Sequence, residues 1–288
     1  MTVPRKAMPV PITAMTEPIR YVALGDSFTE GVGDADPRLP NNCRGWADRV
    51  AEELARHDPT VHYANLAIRG RRLQQIVDQQ LEPALAMQPT LVSFYAGGND
   101  LLMARPNIGR LIRDYEDAVR RLKASGAAVL LFTGYNVPLS PLLEPLKVRT
   151  AIYNRHIRRI AAQHGTLLVD YWCFEKLQDP RMWAPDRLHM STPGHRYMAK
   201  KVLEVLKAPH SLEAPAFPAP PQRRVSDNML DDVTWLRRDV GPWLSRRLRG
   251  ASSGDGLMAR WPELMPVVLP ERLASANATE PQVSSRFS

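Results

Sequence analysis

Short apolar runs and amphipathic stretches alternate along most of the chain. Residues 19–24 (IRYVAL) are apolar and β-prone and end at Gly25, which predicts a buried strand. From Trp46 to Arg56, the positions Trp46, Val50 and Leu54 recur every four residues, the spacing of one helix face. Residues 61–64 (VHYA) carry a weaker strand pattern. After Gly70, Leu73, Ile76, Val77 and Leu81 return to helical spacing. The run 90–96 (TLVSFYA) predicts a third strand, and Ile108, Leu111, Ile112, Tyr115, Val119 and Leu122 then make the clearest amphipathic helix of the sequence. Strands follow at 127–133 (AAVLLFT) and 166–171 (TLLVDY), separated by a loop holding Pro138, Pro141 and Pro145 and a helix near 147–163. Thr192-Pro193 opens a last helix to about Lys207, with proline at its first position. Five such strands separated by helices predict a three-layer α/β/α domain around a five-stranded parallel sheet.

Outside this alternation the pattern breaks. Prolines 4, 9, 11 and 18 interrupt the N-terminus, so residues 1–17 are expected to be a flexible leader and the domain to span 18–207. Five prolines in 208–222 predict a linker, or an extended strap laid over the domain. Residues 223–272 hold Trp235, Leu236, Val240, Trp243, Leu244 and Leu248 among arginines and aspartates, and read as a basic, Trp-containing helical extension. Residues 273–288 are polar and expected to be disordered. The N-terminus carries no apolar run of signal-peptide length, and no stretch approaches the ~20 apolar residues of a membrane span, so a cytoplasmic location is the expectation.

Three short polar motifs each follow a predicted strand. Gly25-Asp26-Ser27 closes the first, Gly97-Gly98-Asn99-Asp100 the third, and Asp186-Arg187-Leu188-His189 lies between the last strand and the last helix. In an open parallel sheet the ligand site lies outside the carboxyl ends of the strands, so all three would gather on one edge. Their residue types suit acyl transfer. A serine hydroxyl needs a base to take its proton, and a histidine serves when a carboxylate fixes its tautomer and stabilises the imidazolium. Asp186 and His189, three apart, can form that pair within one turn. The Ser27 N–H, a glycine N–H in a neighbouring loop and the Asn99 carboxamide could then receive an oxyanion.

On these residues the segment 20–207 resembles the SGNH (GDSL-type) hydrolase superfamily. The matching blocks are Gly25-Asp26-Ser27-Phe28-Thr29-Glu30-Gly31, Asn65-Leu66-Ala67-Ile68-Arg69-Gly70, Gly97-Gly98-Asn99-Asp100 and Asp186-Arg187-Leu188-His189. The resemblance implies a flavodoxin-like α/β fold and serine-dependent hydrolysis of carboxylic esters through an acyl-enzyme. It makes Ser27 the nucleophile, His189 the base and Asp186 its orienting acid, with Ser27, Gly70 and Asn99 forming the oxyanion hole. It requires no cofactor or metal, and its partner is a small-molecule ester. The motif continues with Phe28 where the family's older name has leucine. The tail from about residue 209 lies outside the shared core and is similar to extensions of actinobacterial members.

Other features refine this picture. The net charge of +8 is spread over scattered arginines with no aromatic–basic platform or zinc-finger spacing, so no nucleic-acid partner is expected. Cys43 and Cys173 read as two unpaired thiols, and the histidines form no ligand-spaced pair. His195 is a rival base but lies inside the last helix, where a structural or helix-surface role is expected. Gly250-Ala251-Ser252-Ser253-Gly254 fits a G-x-S-x-G pattern, yet a basic segment precedes it and no acid and histidine follow, so it is read as a decoy. Arg69, Arg71, Leu101 and Val137 are candidates for substrate contact: the arginines toward an anionic part of the substrate, Leu101 and Val137 beside a modest acyl pocket. Two alternatives stand beside the hydrolase. One is a non-catalytic binding module on this scaffold, with its tail touching a membrane or a protein. The other is a metallophosphoesterase built on the Asn-Asp and Asp-x-x-His pieces.

Overall fold

The computed structural model describes residues 17–136, 144–218 and 252–269, together with Thr234, Arg237 and Arg238. The leader 1–16, residues 137–143 and the tryptophan- and leucine-bearing stretch 235–248, except Arg237 and Arg238, lie outside the described residues, as do 273–288.

Strands β1 (Arg20–Leu24), β2 (His62–Asn65), β3 (Leu91–Phe94), β4 (Ala128–Phe132) and β5 (Leu167–Val169) form a parallel sheet. The helices are α1 (Ser27–Glu30), α2 (Trp46–His57), α3 (Leu73–Ile76), α4 (Glu82–Ala86), α5 (Gly98–Leu101), α6 (Ile108–Ala124), α7 (Glu144–His164) and α8 (Thr192–Leu206). A sixth strand, β6 (Trp261–Pro266), pairs antiparallel with β2, giving the order β5-β4-β3-β1-β2-β6. The sheet is therefore mixed and six-stranded, where the sequence predicts five parallel strands. The sixth comes from the segment expected to be a helical extension. Pro262 and Pro266 explain the correction. Each lacks the N–H that a helix interior or a central strand needs, but an edge strand tolerates them.

The sheet separates two cores, and the alternation of strand side chains shows how. Tyr21 and Ala23 of β1, with Leu130 and Phe132 of β4, face α2 and α8, where Trp46, Val50, Met198 and Val202 are fully buried. Val22, Leu24, Val129 and Leu131 face the other way, toward α3, α6 and α7 and the buried Ile76, Tyr115 and Ile157. Replacing a side chain as large as Trp46 by alanine there costs about 3–5 kcal/mol.

Residues 208–218 run over the domain without helix or strand. Leu212, Ala214 and Phe217 pack on the α2/α8 core, Ser211 bonds Glu53, and the Arg181 guanidinium lies 4.4 Å from the Phe217 ring centre. Among the described residues no helix is long and apolar enough to cross a membrane.

Candidate active site

Strand order reverses at β1, which has β2 on one side and β3 on the other. The crevice at such a switch point lies beyond the carboxyl ends of the strands. The turns after β1 and β3 open there.

After β1 the chain turns directly into α1. Asp26, not Ser27, caps this helix: its Oδ1 accepts the Phe28 N–H at 3.0 Å, and Ser27 is the first helical residue. The Ser27 side chain is thus left out of the capping role that an Asp-Ser pair could have given it. Among the described residues, the Ser27 and Gly70 N–H groups take no acceptor. Gln80 fixes the turn itself, accepting the Gly25 N–H at 2.8 Å and donating to the Gly25 carbonyl at 2.9 Å. Gln80 sits in a π-helical stretch, Val77–Leu81, between α3 and α4, and such bulges often mark functional sites. Sequence reasoning passed over it. The available signal was a polar residue on the apolar face that Ile76 begins.

The turn after β3 faces the first. Asn99 Nδ2 donates to Asp26 Oδ2 and to the Arg71 carbonyl, each at 3.0 Å. Asp100 Oδ2 accepts the Leu73 N–H at 2.9 Å, capping α3. The loop after β2, which carries Gly70, is therefore bonded to the turn that carries Asn99. It is also bonded to α1. Glu30, fully buried, accepts from the Arg69 backbone N–H at 2.6 Å and from its guanidinium at 2.7–3.0 Å.

The loop before α8 brings the third group. His189 Nδ1 lies 2.6 Å from Asp186 Oδ2, and Asp186 Oδ1 accepts the Leu188 and His189 N–H groups, each at 3.0 Å. Burial pushes the Asp186 carboxyl up, but the bonds from His189 and Leu188 outweigh it and hold the group below the usual carboxylate range. Gly33, in the loop after α1 with φ +98°, has no room for a side chain: a Cβ there would collide with the Met190 carbonyl and press on His189 Cβ. The Ser27 turn and the His189 loop touch through that glycine.

Ser27, Asn99 and His189 line one cavity of about 170 Å³, with Phe28, Tyr95, Tyr171 and Trp183 in its walls. Asp186 supports His189 from outside the lining, and Gly70 sits one residue before the Arg71 carbonyl that Asn99 holds. Leu101 lines the cavity and is buried. Val137 lies outside the described residues. Neither Arg69 nor Arg71 lines the cavity: Arg69 pairs with Glu30 and Arg71 with Asp255. His195 is wholly buried, not on the helix surface. Its Nδ1 accepts the Trp46 N–H at 3.2 Å, so the proton resides on Nε2, which faces the Val32 carbonyl at 3.1 Å. Burial pushes its pKa down to about 4. It thus bonds the first N–H of α2. Ser252 of the G-x-S-x-G stretch bonds to Arg69 and Asp255, and among the described residues no helix follows it. Among the described residues no three His, Cys, Asp or Glu gather as a metal site.

The model of the GDSL-like Lipase/Acylhydrolase family matches residues 23–197. Protein YpmR of Bacillus subtilis, described as uncharacterized, is 26% identical over 223 residues, 68% of this chain and 84% of that protein. GDSL esterase/lipase CPRD49 of Arabidopsis thaliana is 24% identical over 186 residues, 57% of this chain and 72% of that one. Among solved structures, a catalytic mutant of Axe2, an acetylxylan esterase from Geobacillus stearothermophilus, aligns with a TM-score of 0.58 at 21% identity, over 68% of this chain and 98% of that one. At that identity the likeness shows a shared fold.

Proposed function

Because this chain belongs to the GDSL-like lipase/acylhydrolase family and is a carboxylic ester hydrolase, we propose that it cleaves esters of small acyl groups with Ser27 as nucleophile and His189 as base. The observation that carries the reading is the 2.6 Å bond between His189 and Asp186, made by a ring that lines the same cavity as Ser27. A carboxylate on Nδ1 keeps the proton there and leaves Nε2 as the acceptor for the serine proton. Ser27 Oγ then adds to the ester carbonyl, and His189 passes the proton to the departing alcohol. Water, deprotonated by the same ring, releases the acid from the acyl-enzyme.

The tetrahedral oxyanion would meet the N–H groups of Ser27 and Gly70 and the Asn99 amide. In the resting site the Asn99 amide already donates to Asp26 and Arg71. The developing charge therefore shares or takes over one of these bonds, and the other holds the amide plane ready. Preorganised donors of this kind stabilise the transition state without reorienting during reaction.

Small acyl groups suit the cavity. Its volume of about 170 Å³ falls below the roughly 300 Å³ at which drug-sized pockets begin, and bulky rings take up its walls. Burial pushes the Tyr95 and Tyr171 phenols up from a value already near 10, so these rings are uncharged walls of the cavity. Axe2, whose name assigns it acetylxylan, shares the fold, and an acetyl ester is the first substrate to try. Wild type and Ser27→Ala should be compared on p-nitrophenyl acetate, butyrate and octanoate, with fluorophosphonate labelling alongside. Wild type should favour acetate and take up the label at residue 27. Ser27→Ala should lose at least about 10³-fold in kcat. Undiminished turnover by Ser27→Ala would sink the reading, and a preference for octanoate would sink the small-acyl part of it.

A further inference from the structure

The far end of the chain reaches the site. Gly70, at φ +75°, is packed so closely against the tail that a Cβ on it would collide with Ser252 Oγ, and one on Gly254 would collide with the Arg69 carbonyl. Ser252 Oγ donates to the Arg69 carbonyl at 3.3 Å and accepts the Gly254 N–H at 3.1 Å. Asp255 ties the ends of this contact, accepting the Ser252 N–H at 2.7 Å and pairing with Arg71 at 3.1 Å. Further along, the fully buried Arg260 guanidinium donates to the Glu30 carbonyl, at the end of α1, and to Asp48, both at 2.7 Å.

Loop 69–73 is thus gripped from two sides. Asn99 and Asp100 hold Arg71 and Leu73 from β3, while Ser252, Gly254 and Asp255 hold Arg69, Gly70 and Arg71 from the tail. The same tail segment holds α1, which begins at Ser27. It lies outside the family-matched residues 23–197. We propose that Ser252, Gly254 and Arg260 are positioning residues of the reaction: they set the distance between the Gly70 N–H and Ser27, and so the shape of the oxyanion hole. This rests on the oxyanion role given to Gly70 above. Geometry of this kind acts on the transition state more than on bound ester, so its loss appears in kcat and not in KM.

The test uses the full chain and p-nitrophenyl acetate, with an alkyl boronic acid as a tetrahedral-adduct probe and Met258→Ala as an exposed tail control. Ser252→Ala should lower kcat roughly 10-fold and Gly254→Ala roughly 100-fold, with KM within about 2-fold. Boronate affinity should fall in step with kcat, while Met258→Ala matches wild type. If Gly254→Ala does not fold, Ser252→Ala decides alone. An unchanged kcat in Ser252→Ala overturns the inference, as does a loss that tracks the folded fraction while boronate affinity per folded molecule is kept. An active Ser27→Ala overturns the nucleophile assignment and this inference with it. An inactive Ser27→Ala beside a fully active Ser252→Ala overturns the inference alone.

Discussion

The bonds that shape the Asp186–His189 loop join residues five or fewer apart, whereas the turns carrying Ser27, Gly70 and Asn99 are bonded to partners drawn from across the chain. In the loop, Asp186 accepts from Leu188 and His189, Ala184 donates to the His189 carbonyl at 2.8 Å, and Arg187 donates to Ala184 at 2.9 Å. Arg187 takes a left-handed φ of +54° to close the turn, and the Asp186 and His189 side chains remain 33% and 25% exposed. On the other side, Asp26 meets Asn99 from 73 residues away and Glu30 meets Arg69 from 39. Arg260 reaches Glu30 across 230 residues, and Glu30 itself is fully buried. Altering Asp186 or His189 is therefore expected to cost folding little. In the turns carrying Ser27, Gly70 and Asn99 geometry and stability are expected to be coupled, because the same buried bonds provide both.

Four substitutions bear on this contrast, from the largest effect to the smallest. Asp186→Asn should lower kcat by about 10³-fold or more, since an amide favours the wrong imidazole tautomer, while stability changes by no more than about 1 kcal/mol. A comparable loss of stability, read by denaturant titration, would show that the loop is not self-contained. Asn99→Ala should cost about 10²–10³-fold in kcat and, unlike Asp186→Asn, also lower the unfolding midpoint, because Asp26 and the Arg71 carbonyl lose their donor. Glu30→Ala leaves the Arg69 guanidinium without its buried carboxylate and should destabilise by about 3 kcal/mol, with kcat falling too. An enzyme of normal stability and rate would break the coupling. His195 gives the smallest effect, one that depends on pH. Its folded pKa of about 4 lies below the unfolded value near 6.5, so the unfolded chain binds the extra proton first. Stability is full above pH 6.5 and declines as pH falls toward 4. His195→Gln, which can still accept from Trp46, should flatten that slope in denaturation curves taken across the range.

The same contrast decides what could be read in the sequence. The Asp186–His189 pair was legible because its geometry is local: an acid and a base three residues apart, in a loop between a strand and a helix. The α/β architecture was legible because buried strands and amphipathic helices differ in period, and Tyr21/Val22 and Leu130/Leu131 divide between the two cores as that period requires. Ser27 and Asn99 could be placed on one sheet edge from topology alone. The bonds that hold them could not, because Glu30, Arg69 and Gln80 find partners 39 or more residues away. For Arg69 and Arg71 the sequence shows a charge but not its counter-charge, Glu30 and Asp255. Strand β6 escaped because the WPELMP run has two prolines and no alternation, so only its neighbour β2 makes it a strand.

That strand also bears on how the protein is made. Asn65 pairs with Trp261 and His62 with Pro266, so nearly two hundred residues must leave the ribosome after β2 before its outer edge is covered. Until then the nascent chain carries a ready template for pairing with other molecules, the condition under which edges drive aggregation. Translation that stalls or ends before residue 261 would leave that template exposed, whatever the state of the loops that carry Ser27, Asn99 and His189.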